Sequence, residues 1–188
     1  MLKSIILYGI KGGDAMKKTL SSASTSINAT KVPAIFGKVK WEPGTKNLDY
    51  GGGKYDTATT YLASRGVENL IYDPYNRSVG WNNRVLAPQT RYDTCTISNV
   101  LNVIQDKDER RKALKKAMKH VKRSGTVYIT IYEGDKSGVG RETKKDCWQN
   151  NQPLQFYAAE IREMFPDPAI RITVKNNMIT LVRETKED

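Results

Sequence analysis

Short apolar runs, each closed by glycine or a polar residue, alternate with stretches of helical spacing along the 188 residues of this chain. Residues 46–48 would end a buried strand, and Asp56-Thr57 can cap a helix that runs to about Arg65, where Gly66 stops it. Residues 67–72 then form a second, parallel strand with Asp73 at its carboxyl end. Residues 92–98 (YDTCTIS) are β-prone and lead into Asn99-Val100-Leu101-Asn102-Val103-Ile104. Asp106 through Glu109 reads as a capping box. Leu114, Ala117, Met118 and Val121 follow at i, i+3, i+4 and i+7, which predicts a helix with one buried stripe, ended by Ser124-Gly125. Residues 126–132 carry the strongest strand signal in the chain. A polar loop to about Gln152 follows, and then Leu154, Tyr157, Ala158, Ile161, Met164 and Phe165 repeat with helical spacing. Residues 170–174 and 178–182 flank Asn176-Asn177 like a closing hairpin. One α/β domain of alternating elements is expected over residues 1–188, with residues 1–45 as an arm and 46–188 as its core.

Composition agrees with a single domain able to bury a core: 38% of residues are hydrophobic. No apolar run approaches the length of a membrane helix. Residues 1–10 have an apolar centre too short for a signal peptide and are read as a strand or docked arm, so a cytoplasmic protein is expected. The two cysteines, Cys95 and Cys147, have neither paired nor zinc-type spacing and are read as free thiols. The Ser/Thr-rich stretch 19–30 is read as a flexible or capping segment.

The net charge of +11 is uneven: +6 over residues 1–46, zero over 47–105, +7 over 106–145 and −2 over 146–188. Arg110, Arg111, Lys112, Lys115, Lys116, Lys119, Lys122 and Arg123 are expected along the exposed sides of one helix. Such a face is either simply solvated or attractive to a polyanion, most naturally DNA or RNA reached through the basic arm and helix. The only histidine, His120, has no evident acid partner and is expected at the surface.

The candidate chemistry lies in Asp49-Tyr50-Gly51-Gly52-Gly53-Lys54-Tyr55-Asp56. Three glycines between a strand and a helix allow a sharp turn and close approach of backbone to a ligand. Asp73 follows 24 residues after Asp49, where an acid can hold both hydroxyls of a ribose. The third glycine of G-x-G-x-x-G is absent, and a carboxylate in the turn would repel a pyrophosphate, so a cofactor without phosphates fits better.

Asp49-Tyr50-Gly51-Gly52-Gly53 resembles the D-x-G-x-G loop of class I methyltransferases, which implies a Rossmann-like, mostly parallel sheet with a C-terminal antiparallel hairpin and S-adenosyl-L-methionine as cofactor. Residues 99–106 with Glu109-Arg110, together with Gly138-Val139-Gly140, Thr143, Trp148-Gln149 and the earlier Lys31-Val32-Pro33-Ala34, resemble the methyltransferases associated with DNA phosphorothioation and their short phage-borne relatives. The likeness covers roughly residues 28–165. About twenty residues separate Asp73 from the next strand, so the third strand and its helix are expected to be abbreviated.

The resemblance implies a set of roles. Gly51, Gly52 and Gly53 pass beneath the methionine part of the cofactor, Asp49 accepts from its ammonium, and Asp73 holds the ribose, with Tyr50, Tyr55, Pro74 and Val100 beside them. Asn99 orients the methyl or its acceptor, or else caps the turn. Arg141, Thr143, Trp148 and Gln149, on or beside the long loop after the fifth strand, are the candidate acceptor contacts. No metal site is expected. The Asn/Asp-Pro-Pro-aromatic motif and a Pro-Cys dipeptide are both missing, so neither resembling route to a base is indicated. The favoured acceptor is nucleic acid or a nucleotide. A small-molecule or protein methyltransferase, or a noncatalytic nucleic-acid-binding module on the same fold, stays open.

Overall fold

The structure, a computed structural model, describes residues 30–183. The strand or arm expected at residues 1–10, and nearly all of the Ser/Thr-rich stretch, lie outside the described residues. Strands β1 (Lys46–Tyr50), β2 (Glu68–Tyr72), β3 (Tyr92–Ser98) and β4 (Val121–Thr130) run parallel, while β7 (Ile170–Lys175) and β8 (Met178–Arg183) complete one six-stranded sheet in the order β2-β1-β3-β4-β8-β7. Both β4–β8 and β7–β8 pair antiparallel. Asn176 and Asn177, at φ 53° and 55°, make the two-residue turn, a backbone geometry that asparagine tolerates. A separate antiparallel pair, β5 (Arg141–Lys144) and β6 (Cys147–Gln149), forms within the stretch expected to be an irregular loop.

Strand alternation divides the sheet into two unlike faces. Leu48, Tyr50, Cys95, Ile97, Val127, Ile129, Ile179 and Leu181 build the main core with residues of three helices, α3 (Val79–Val85), α4 (Lys107–Lys119) and α5 (Leu154–Met164). On the other face, α1 (Ile35–Lys38) and α2 (Thr57–Ala63) bring Ile35, Phe36, Ala58 and Leu62 together with Val67. There the central strands carry amides and hydroxyls instead: Asn47 Nδ2 donates to Asn69 Oδ1 at 2.8 Å and to Thr96 Oγ1 at 3.0 Å, and Thr94 Oγ1 donates to Asn47 Oδ1 at 2.8 Å. Each of these groups would be costly to bury alone, and the network satisfies them within the sheet.

Between β2 and β3 only α3 intervenes, so β2 is an edge of the sheet and the abbreviated third-strand region is a single helix. Trp81 of α3 donates its indole N–H to the Ile71 carbonyl at 2.6 Å, covering part of that edge.

Helix α4 starts as expected, with Asp106 Oδ1 accepting from the Glu109 N–H at 2.9 Å, but it is shorter than the periodicity predicts. It ends at Lys119, and Val121 already pairs with Tyr92. Lys122 and Arg123 therefore belong to β4, and Gly125 stops no helix. It sits in the register shift between β3 and β4, where a Cβ would come 2.7 Å from the Asp93 carbonyl. Two further expectations are corrected. Arg110 is buried, held by Glu160, and His120 is buried too, with Nδ1 3.4 Å from the Thr90 carbonyl. Burial, together with the nearby cations, lowers the His120 pKa. Among the described residues no helix is long and apolar enough to cross a membrane.

Candidate active site

The carboxyl ends of β1, β2, β3 and β4 point toward one edge of the sheet, and the strand order reverses between β1 and β3, the place where open α/β sheets leave a crevice. A cleft of ≈ 1360 Å³ opens there. It gathers Tyr50, Gly51, Asp73, Pro74, Asn99, Val100, Arg141, Thr143, Trp148 and Gln149 onto its walls. Of the residues singled out in the sequence, Asp49, Gly52, Gly53 and Tyr55 stay outside that lining.

The glycine turn is held from both sides. Gly51, at φ 81°, donates its N–H to the Tyr72 carbonyl at 2.7 Å, and a Cβ on it would come 2.5 Å from Val100 Cγ2. Gly52 lies directly over the Asp49 carboxylate, which a side chain at that position would overlap. Two demands, a left-handed backbone and the close approach of neighbours, thus select glycine here.

Asp73 organises the loop after β2 as well as facing the cleft. Its Oδ1 accepts from the Tyr75 N–H at 2.9 Å, the Asn76 N–H at 2.9 Å and the Asn76 side-chain amide at 3.1 Å. Among the described residues its Oδ2 accepts only from the Gly53 N–H, at 2.9 Å. A carboxylate oxygen has two lone pairs, so Oδ2 keeps capacity for one more donor. Asn82 of α3 fixes the same strand end by accepting from the Asp73 N–H at 3.1 Å and donating to its carbonyl at 2.8 Å. Arg77 fastens the glycine turn, donating to the Gly53 carbonyl at 2.9 Å and to Asp56 Oδ1 at 2.8 Å. The latter bond takes up the carboxylate expected to cap α2, and the Asp56 side chain makes no cap bond.

Asp49 is 2% exposed and accepts from Thr96 Oγ1 at 3.2 Å. Burial pushes its pKa up to about 7; the Thr96 bond opposes that rise, the Asp73 charge adds to it and Arg77 opposes it. Its side chain belongs to the polar face of the sheet with Asn47, so it supports the turn from behind.

At the end of β3, Asn99 adopts φ 56° and donates its N–H to the Thr130 carbonyl at 2.9 Å, leaving its side chain exposed at the cleft. The next turn, a 3-10 segment over Leu101–Val103, carries Asn102. Asn102 Nδ2 donates to Gln149 Oε1 at 3.0 Å, and Gln149 Nε2 donates to the Tyr132 carbonyl at 3.0 Å. These amides tie the β5–β6 hairpin to the mouth of the cleft. Asn102 Oδ1, Trp148 Nε1 and Asn151 Oδ1, all on cleft-lining residues, are buried without a hydrogen-bond partner among the described residues.

Three wall residues, Tyr72, Tyr75 and Lys116, had no site role in the sequence, whereas Tyr50 was expected there. Tyr50 and Tyr72 pack with ring centroids 4.7 Å apart, and Lys116 reaches across from α4 to donate to the Tyr72 hydroxyl at 2.9 Å. Tyr75 and Tyr132 stand 58% and 61% exposed on the cleft walls. The equivalent ends of β1 and β2 could have marked Tyr50 and Tyr72 as neighbours; nothing local marks Lys116, which is 44 residues from its partner.

No family model matches the chain, and no curated protein matches it. Solved structures do. The chain is similar to the Burkholderia thailandensis 1,6-didemethyltoxoflavin-N1-methyltransferase, solved with 1,6-didemethyltoxoflavin and S-adenosylhomocysteine, at 14% identity over 76% of this chain and 72% of that one, with a TM-score of 0.56. An O-methyltransferase from neocarzinostatin biosynthesis, holding S-adenosylmethionine and 2-hydroxy-5-methyl naphthoic acid, matches at 12% identity over 78% of this chain and 50% of that one, with a TM-score of 0.55. A match at 12% identity and a TM-score of 0.50, covering 81% of this chain and 88% of that one, comes from the complex of the Haloferax volcanii Trm112 methyltransferase activator with a methyltransferase. At these identities the likeness establishes the fold: the Rossmann-like fold of class I S-adenosylmethionine-dependent methyltransferases.

Proposed function

We propose that this chain is a methyltransferase that uses S-adenosyl-L-methionine and acts on nucleic acid or a nucleotide. The observation that carries the cofactor is Asp73, buried at the end of β2, bonded to the glycine turn and still able to accept one donor through Oδ2. That is what a ribose hydroxyl requires, and proteins of similar fold have been solved with S-adenosylmethionine or S-adenosylhomocysteine bound. Gly51 offers bare backbone for the methionine part, while Asp49 and Gly53 hold the turn in shape. Pro74, Val100, Ile104 and Ala113 can bury the adenine, with Tyr55 near the turn.

When bound, the cofactor supplies a methyl group already activated by its sulfonium. The chain's task is then to align an acceptor with it and exclude water. Asn99 stands where its carboxamide can orient that acceptor. Trp148, Gln149, Arg141 and Thr143 close the far wall, and Tyr132 and Tyr75 offer ring faces for stacking. Asn99, Asn102 and Asn151 line the cleft, and their side-chain amides carry both donors and acceptors, which suits an acceptor whose edge carries both, as a nucleobase does.

A small-molecule acceptor is the second reading, favoured by the aromatic compounds held in two similar structures. Incubation with methyl-labelled cofactor and, separately, DNA, RNA, mononucleotides and phenolic compounds separates the two. Label in nucleic acid or nucleotides alone supports the first reading, and label in the phenols alone replaces it. Nucleic-acid binding with no transfer to any acceptor would indicate a noncatalytic module.

A further inference from the structure

A row of lysines leads out of the cleft along α4. Lys112, Lys115, Lys116 and Lys119 recur at i, i+3, i+4 and i+7 and so share one stripe of the helix. Lys112 and Lys116 line the cleft, whereas Lys115 and Lys119 line a second hollow of ≈ 630 Å³. That hollow lies at the opposite edge of the sheet: Arg91 enters it from just before β3, Lys122 and Arg123 from the start of β4, and Arg183 from the end of β8. Among the described residues its lining includes no acid. Met118, Val121 and Phe165 supply the remaining wall, a low-dielectric surface that strengthens the field of the cations around it.

An ordinary solvated face intersperses its charges. The first turns of α4 do so, with Glu109 paired to Lys112 at 2.7 Å and Asp108 to Arg111 at 3.8 Å. Beyond Glu109 the pattern stops, because residues 110–132 contain no aspartate or glutamate. Asp93 offsets one charge of the hollow by pairing with Lys122 at 2.6 Å. The side chains of Lys115, Lys119, Arg123 and Arg183 have no hydrogen bond or ion pair within the described residues. Cations lining one hollow and lacking an acidic partner among the described residues repel one another, and a polyanion relieves that repulsion. The 13 residues of α4 extend about 20 Å, the reach of roughly six phosphates along one strand.

We propose that the hollow and the lysine stripe form a binding surface for the phosphate backbone of a nucleic acid, whose chain runs along α4 and presents one nucleotide to the cleft. The inference rests on the nucleic-acid reading of the cleft, and it selects a polymer over a free nucleotide as acceptor.

Fluorescence anisotropy with labelled DNA and RNA oligonucleotides of about 8 and 20 nucleotides, measured across a salt series, tests it. Lys115→Glu/Lys119→Glu/Arg123→Glu is compared with Lys40→Glu/Arg162→Glu/Lys175→Glu, a charge-matched change on other exposed surfaces, and with the alanine form of the first set. The hollow variant should lose at least tenfold in oligonucleotide affinity, with a shallower salt dependence, while the matched control loses less than about threefold. Equal losses in the two charge variants, or no oligonucleotide binding by the unaltered protein at low salt, would overturn the proposal. Titration of the same proteins with S-adenosylmethionine keeps the two readings apart. Oligonucleotide binding without cofactor binding removes the methyltransferase reading and leaves the surface; cofactor binding without oligonucleotide binding does the reverse.

Discussion

Asp73 and Gly53 are joined by a 2.9 Å hydrogen bond from the glycine N–H to the buried carboxylate, so the acid at the end of β2 also fixes the turn after β1. The position expected to hold a ribose is therefore structural and cleft-lining together. Asp73→Ala would strand the N–H groups of Gly53, Tyr75 and Asn76. It should cost about 2–3 kcal/mol of stability and reduce S-adenosylmethionine affinity more than tenfold. Urea unfolding and calorimetric titration of the same variant check the two effects. Cofactor affinity retained in the alanine variant would remove Asp73 from the site.

Asp49 predicts a pH dependence. Burial raises the pKa of its carboxyl from 3.8 to about 7 on folding, so between those values the folded state holds a proton that the unfolded state has released. Stability from this group falls as pH rises through that window and is level above it. Asp49→Asn cannot ionise and keeps an oxygen for Thr96. Its stability relative to the unaltered protein should therefore grow by ~2–4 kcal/mol between pH 4 and 7, read from denaturant midpoints at several pH values. Parallel curves for the two proteins would show that the burial of Asp49 has no such effect.

The Arg110 and Glu160 pair predicts a stability effect remote from the chemistry. Arg110 is 4% exposed and reaches from Glu160 to the carbonyls of Ile104 and Gln105, so it pins α4, α5 and the segment before α4 together. Arg110→Ala leaves a buried carboxylate alone and should cost about 3–5 kcal/mol. Arg110→Met combined with Glu160→Leu should recover most of that loss, measured by chemical unfolding of the single and double variants.

Asn99 separates backbone from side chain. Its φ of 56° is equally open to glycine, so Asn99→Gly keeps the turn and removes the carboxamide. Stability should change by less than about 1 kcal/mol. Turnover should fall on the order of 10–100-fold with cofactor affinity nearly unchanged, as single-turnover rates and calorimetry would show. Full activity in the glycine variant would reduce Asn99 to a turn residue.

The parts of the fold set by local pattern were legible. β3 occupies the residues its composition indicated, and Asn176-Asn177 turns between β7 and β8 because asparagine accepts positive φ. Gly66, at φ 73°, ends α2 where a glycine was expected to do so. What escaped depends on distant partners. The lysine-rich end of α4 reads as helix until Val121 pairs with Tyr92, and Arg110 reads as exposed because Glu160 lies 50 residues away. The β5–β6 hairpin lacks alternation because β5 is exposed on both faces. In the site, residue identity pointed to the glycine turn and the acids. Only the strand alternation, taken with Gly52 lying over it, shows that Asp49 faces away from the cleft and toward Thr96.

The central claim is most directly tested by calorimetric titration of folded, ligand-free protein with S-adenosylmethionine and S-adenosylhomocysteine, with NAD as control. Saturable 1:1 binding of the first two, weakened by Asp73→Ala, and no binding of NAD is the result expected. Absence of binding by both, from protein shown to be folded and free of bound ligand, would contradict the account.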